Sequence, residues 1–146
     1  MMKIRILSVF IFAFLIASCG TTKLSTKDEN DIIEGRKATL KTFNQPIIGA
    51  VIFGEEPVTR IVSVDGNKLP SVGLKNDEIY AIETGIHKIE LSCINRRVQD
   101  ERDYVETIEI NFRAHHEYRV RCSFDTEFGP DGTYVGSFSV EENRIK

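Results

Sequence analysis

Three stretches of this chain alternate apolar and polar residues with a period of two, and that alternation restricts the fold more than any other feature. Ile89, Leu91 and Cys93 alternate with Lys88, Glu90 and Ser92. Ile108, Ile110 and Phe112 alternate with Thr107, Glu109 and Asn111, and Tyr118, Val120, Cys122 and Phe124 with Arg119, Arg121 and Ser123. Successive side chains of a strand point to opposite faces, so each apolar set shares one face of a sheet. Strand candidates of this kind cover Ala38–Phe43, Ile47–Phe53, Thr59–Val64, Glu78–Glu83, Ile86–Ile94, Val105–Ala114, Glu117–Phe124 and Tyr134–Val140. Turn residues separate them: Asn44-Gln45-Pro46, Gly54-Glu55-Glu56-Pro57, Asp65-Gly66, Thr84-Gly85 and Gly129-Pro130-Asp131-Gly132. No helix-period segment competes beyond the first twenty residues. The expected fold is all-β, a small antiparallel β-sandwich of about seven or eight strands over residues 37–146.

Parity also bears on register. A two-residue turn at His115-His116 would pair Phe112 with Arg119 and place a charge on the apolar face. A three-residue loop, Ala114-His115-His116, pairs Phe112 with Tyr118, Ile110 with Val120 and Ile108 with Cys122. The second is expected, because it keeps the apolar residues together. Cys122 then faces the core, as Cys93 does beside Leu91.

The 146 residues have room for one domain. A formal net charge of −3 without a basic patch excludes a nucleic-acid partner of the usual electrostatic kind.

The first twenty residues, MMKIRILSVFIFAFLIASCG, differ from the rest. Lys3 and Arg5 form a short basic start, and Ile6 to Ile16 an apolar run too short to span a bilayer. Ile16-Ala17-Ser18-Cys19 resembles the lipobox of bacterial lipoproteins. The resemblance implies a signal peptide over 1–18, cleaved before Cys19, with the cysteine lipidated by a diacylglycerol thioether and N-acylated. Cleavage removes Lys3 and Arg5 and no acid, so the net charge falls from −3 to −5. An acidic domain gains nothing from an anionic membrane surface, so the lipid on Cys19 is the expected membrane contact. Gly20 follows the cysteine in place of the aspartate that retains many lipoproteins at the inner membrane. The implied location is the cell envelope, at the outer membrane facing the periplasm. Residues 19–36 are polar after Cys19 and lack a sustained period, and they are expected to form a flexible tether.

With Cys19 assigned to lipid, Cys93 and Cys122 remain. Exported compartments permit disulfides, so one bridge between them is expected; two buried free thiols are the alternative. Neither has a CxxC neighbour, which argues against zinc.

Val62-Ser63-Val64-Asp65-Gly66, then Glu78-Ile79-Tyr80-Ala81-Ile82, then Gly85-Ile86-His87-Lys88-Ile89-Glu90-Leu91 resemble the PEGA-type module. That resemblance implies a small transthyretin-like or immunoglobulin-like sandwich of surface and envelope proteins. Glu83-Thr84 stands where that family has proline before the glycine.

Residues with catalytic or ligating potential are few. His115 and His116 lie on an expected loop tip, where one of them would take a positive φ. His87 belongs to the inward face of its strand near the sheet rim. Asp125, Glu127 and Asp131 crowd the run DTEFGPDG, an oxygen-rich loop that lacks a full calcium ligand set. Arg96-Arg97 and Asp100-Glu101-Arg102-Asp103 read as a solvated link. Tyr80, Tyr104, Tyr118 and Tyr134 would form a sugar platform only if a pair faced solvent, and parity sends Tyr118 inward. There is no G-x-S-x-G, S-x-x-K or H-E-x-x-H motif. The expectation is a non-catalytic binding or structural module needing no cofactor, anchored through Cys19 and contacting an envelope protein or cell-wall partner. The alternative is a metal-dependent binder or hydrolase using His87, His115, His116 or the Asp125–Asp131 loop.

Overall fold

The computed structural model describes residues 24–44, 57–70, 77–94, 104–128 and 134–145, the side chains of 125–128 and 134–135 excepted. In chain order the elements are helix α1 (Thr26–Ile33) and strands β1 (Lys37–Thr42), β2 (Val58–Val64), β3 (Asn67–Lys68), β4 (Ile79–Glu83), β5 (Gly85–Ile94), β6 (Tyr104–Phe112), β7 (His116–Phe128) and β8 (Tyr134–Arg144). The expected strand Ile47–Phe53 and the charged link 96–103 lie outside the described residues.

The strands form two four-stranded sheets, ordered β4-β1-β7-β8 and β3-β2-β5-β6. β1 and β7 run parallel, and the other neighbours are antiparallel. The chain is an all-β sandwich. Its core is the apolar parity set: Leu40, Ile61, Ile82, Ile89, Leu91, Ile110, Phe112, Tyr118 and Val120 are buried from both sheets. Asp65 and Gly66 have φ of 50° and 78°, the left-handed pair that a two-residue hairpin turn between β2 and β3 needs.

Two expectations are corrected. Phe112 and Tyr118 are not a pair in one hairpin, because β6 and β7 belong to different sheets. The link Arg113-Ala114-His115 carries the chain across the sandwich, with His115 at φ 58°. Phe112 and Tyr118 still meet, edge to face across the core with ring centroids 4.7 Å apart. Parity fixes which face is buried, and facing sheets satisfy it as well as neighbouring strands do. Tyr118 locks this corner. Its hydroxyl accepts from the Arg113 N–H at 3.0 Å and donates toward the Asn111 carbonyl and the Glu142 carboxylate, at 3.0 and 2.9 Å.

The second correction concerns the tether. Residues 26–33 are helical and packed on the sandwich. Ser25 caps the helix by accepting from the Asp28 N–H at 3.1 Å, and Asp28 and Glu29 supply negative charge to the first turn. At the other end Gly35, at φ 75°, lets Gly35 N–H reach the Ile32 carbonyl and Arg36 N–H the Asp31 carbonyl. Eight residues give periodicity little to act on, so the helix is marked by its caps. Buried Asp31 pairs with Arg36, and Lys37 bonds Asp28 at 2.8 Å, which fastens the helix to the start of β1.

Candidate functional site

Cys93 on β5 and Cys122 on β7 form a disulfide, with Cα atoms 5.8 Å apart. The bridge ties one sheet to the other through the core, and both residues are buried. On the chain-entropy argument, closing a loop of this length contributes about 3–4 kcal/mol. Cys19 lies outside the described residues.

Beside the bridge, polar groups join the sheets along one flank. β2 pairs with β5 on one side, which leaves the Thr59 and Ile61 backbone groups facing the other way. The Asn44 side chain takes both Thr59 groups, accepting from its N–H at 2.9 Å and donating to its carbonyl at 3.2 Å. Glu78 accepts from the Ile61 N–H at 2.8 Å. The Thr59 hydroxyl accepts from the Cys122 N–H at 2.9 Å, and the Thr42 hydroxyl from the Glu78 N–H at 2.8 Å. These side chains stand where a further strand would, so a buried strand margin keeps its hydrogen bonds. Glu78 is only 2% exposed. Burial pushes its carboxyl above the usual carboxylate range, although the Ile61 N–H and nearby Arg60 pull the other way. Burial, with Glu78 close by, pushes the Tyr80 phenol up to about 12.

The three histidines do not share a partner. His87 Nδ1 lies 2.6 Å from Asp65 Oδ2 at the β2–β3 turn, and its ring meets Phe112 edge-on. The hydrogen bond to His87, helped by the Lys88 N–H, holds the Asp65 carboxyl below its ordinary range. His116 Nδ1 is 2.8 Å from the Ala114 carbonyl, with Nε2 3.8 Å from Glu142. His115 takes the expected positive φ and lies against Gly35, where an added Cβ would fall 2.9 Å from its Nε2. Among the described residues no three His, Cys, Asp or Glu side chains are grouped to hold a metal ion. Backbone 125–128 belongs to β7 rather than to a loop; the side chains of Asp125, Glu127 and Asp131 lie outside the described residues.

On the outer face of the β4-β1-β7-β8 sheet, Phe43, Arg119, Arg121 and Glu141 line a shallow depression of about 130 Å³. Arg121 sits over the Phe43 ring, 5.3 Å from its centroid. Arg119 is paired with Glu117, which also bonds Lys41 at 2.5 Å. Burial opposes the Glu117 charge, yet Lys41 and Arg119 outweigh it and its carboxyl titrates low. The two arginines share the parity of polar residues on β7, but Phe43 reaches them only through the parallel β1–β7 pairing. That pairing of distant segments left no local signal. Glu78 did leave one: it shares the inward parity of buried Ile82, so a carboxylate stands at a core position.

Comparison of the chain with protein-family models, with curated proteins and with solved structures finds no match. Both likenesses, to the lipobox and to the PEGA-type module, therefore rest on the residues that carry them.

Proposed function

We propose that the chain is a lipid-anchored envelope lipoprotein whose sandwich is a non-catalytic binding or structural module. The observation that carries this reading is the use of the cysteines. Cys93 and Cys122 are joined across the core, which accords with an oxidising compartment. Cys19 is then the odd one out, at the end of Ile16-Ala17-Ser18-Cys19 where a lipobox has its modified residue. Lipidation and N-acylation there would anchor the domain far more firmly than a single chain does. Gly20 favours the outer membrane, facing the periplasm.

The contact surface in this reading is a strand edge. β6 and β8 are the terminal strands of their sheets on the same flank, nine and eleven residues long. Among the described residues each has a strand neighbour on one side only, and such an edge recruits a partner's extended segment through backbone hydrogen bonds. The partner is an envelope protein or a cell-wall component, and no nucleic acid is involved. The PEGA-type likeness of Ile61–Cys93 belongs to the same proposal.

The test is a pull-down from crosslinked cells with the tagged chain and a Cys19→Ala control. A discrete partner recovered with the lipidated chain supports the reading. Membrane association of the Cys19→Ala chain through a carbonate wash, or bound metal in place of a partner, contradicts it.

A further inference from the structure

The order of residues 26–36 limits where a lipid on Cys19 can hold the domain. The capped, docked helix starts at Thr26, so only residues 20–25 separate it from the anchor. Fully extended, that stretch reaches about 21 Å. The eleven residues of β8 run about 36 Å along the sandwich, so its two ends are not equally reachable.

The end carrying α1 is assembled from four distant parts of the chain. The Thr84 N–H bonds the Arg36 carbonyl at 3.1 Å, and the Ile145 N–H bonds the His115 carbonyl at 2.8 Å. Lys37 pairs with Glu83, Gly85 with Phe112, and His116 with Arg144. This end also collects exposed isoleucines: Ile33 is 72% exposed, Ile86 65% and Ile145 41%. Arg36 and Arg113 are exposed beside them, as is Arg144. Glu34, Glu83 and Glu142 are present too, and Arg36 pairs with Glu34 while Arg113 approaches Glu142 at 3.7 Å. The end is thus close to charge-balanced and presents apolar side chains, within an acidic molecule. A bilayer interface accepts isolated branched aliphatic side chains with arginines at headgroup level.

We propose that this end of the sandwich rests on the bilayer surface, with Ile33, Ile86 and Ile145 entering the headgroup region. The inference rests on the lipid-anchor reading and adds an orientation to it: the β6–β7 corner faces the membrane, and the ends of β1 and β5 bearing Asn44 and Ile94 face away.

The experiment uses the full lipidated chain in phosphatidylcholine nanodiscs containing a gadolinium-chelating lipid, read by amide NMR. The expected result is attenuation at Ile33, Ile86 and Ile145 at least about threefold stronger than at Asn44, Thr59 and Tyr104, unchanged by salt because apolar insertion carries it. In the Ile33→Ser/Ile86→Ser/Ile145→Ser variant, whose changes lie at exposed sites, the contrast falls toward one while disc association persists. Even attenuation across the molecule, or a maximum at Asn44, overturns the orientation and leaves the anchor standing. A chain that neither binds discs nor carries acyl mass removes the anchor reading, and the orientation with it. Resonance shifts at the same isoleucines that grow with protein concentration, without lipid, assign the face to a second copy and also overturn the proposal.

Discussion

The two flanks of the sandwich are built on different principles. On the flank where β4 and β1 lie against β2 and β3, side chains occupy the place of a missing strand: Asn44 takes both Thr59 backbone groups and Glu78 takes the Ile61 N–H. On the flank of β6 and β8, the described contact between sheets is apolar. Tyr104 stacks on Phe138 with ring centroids 5.8 Å apart, over Gly136, where an added Cβ would meet Tyr104 ring carbons at 2.6–2.8 Å. On the first flank, side chains of the same chain take the Thr59 backbone groups and the Ile61 N–H. The second presents two strand margins at once. The asymmetry separates a flank stitched by buried polar groups from one closed by aromatic packing.

The largest effect tests the bridge between the flanks. Replacing Cys93 and Cys122 with alanine is expected to cost about 3–4 kcal/mol in denaturant unfolding. Amide exchange in the variant should rise in β6 and β8 before β1 and β2, since polar stitching remains on the other side. Equal acceleration on both flanks would break the comparison.

Asn44→Ala comes next, at about 2–3 kcal/mol, because it strands a buried N–H and a buried carbonyl together. Asn44→Asp should recover little of this, since a carboxylate accepts but does not donate to the Thr59 carbonyl. Thermal melts of both variants measure the difference.

Gly136→Ala probes the apolar flank. The new methyl forces Tyr104 to move, at an expected cost of about 1–2 kcal/mol. Tyr104→Ala in the same chain should relieve that part of the loss, which a double-mutant cycle reads as coupling.

The smallest effect is a change of slope with pH. Burial raises the Glu78 carboxyl, so the folded chain holds this proton more tightly than the unfolded one. Stability from Glu78 therefore falls as pH rises from its unfolded value of about 4.5 through its raised folded value. Glu78→Gln should flatten that limb by under about 1 kcal/mol while keeping an acceptor for Ile61. Asp28, Asp65 and Glu117 have the opposite sign: their carboxyls titrate low, and the stability they add is lost as pH falls through their folded values. That acid limb should survive in Glu78→Gln. Melting temperatures from about pH 2 to about pH 8 separate the two limbs.

The buried faces were legible because period-two alternation needs no knowledge of partners: Leu91, Cys93, Tyr118, Val120 and Cys122 are all inward and buried. The orientation of the two cysteines came from the same parity. What alternation cannot encode is the sheet to which a strand belongs, so parity alone sets Phe112 and Tyr118 side by side, whereas they face each other across the core. Helix α1 escapes periodicity because eight residues hold barely two turns; Ser25, Asp28 and Gly35 mark it locally instead. The polar flank was hidden because Asn44 and Glu78 sit at turn and strand margins, where such residues are ordinary. Only the parity of Glu78 with Ile82 gave it away.

Mass analysis of the chain isolated from native membranes, before and after reduction, tests the central claim most directly. The account predicts an N-terminus at Cys19 carrying diacylglycerol and an acyl chain, with Cys93 and Cys122 recovered in one disulfide-linked species. A chain retaining residues 1–18 with an unmodified Cys19, or one with Cys93 and Cys122 as free thiols, would contradict it.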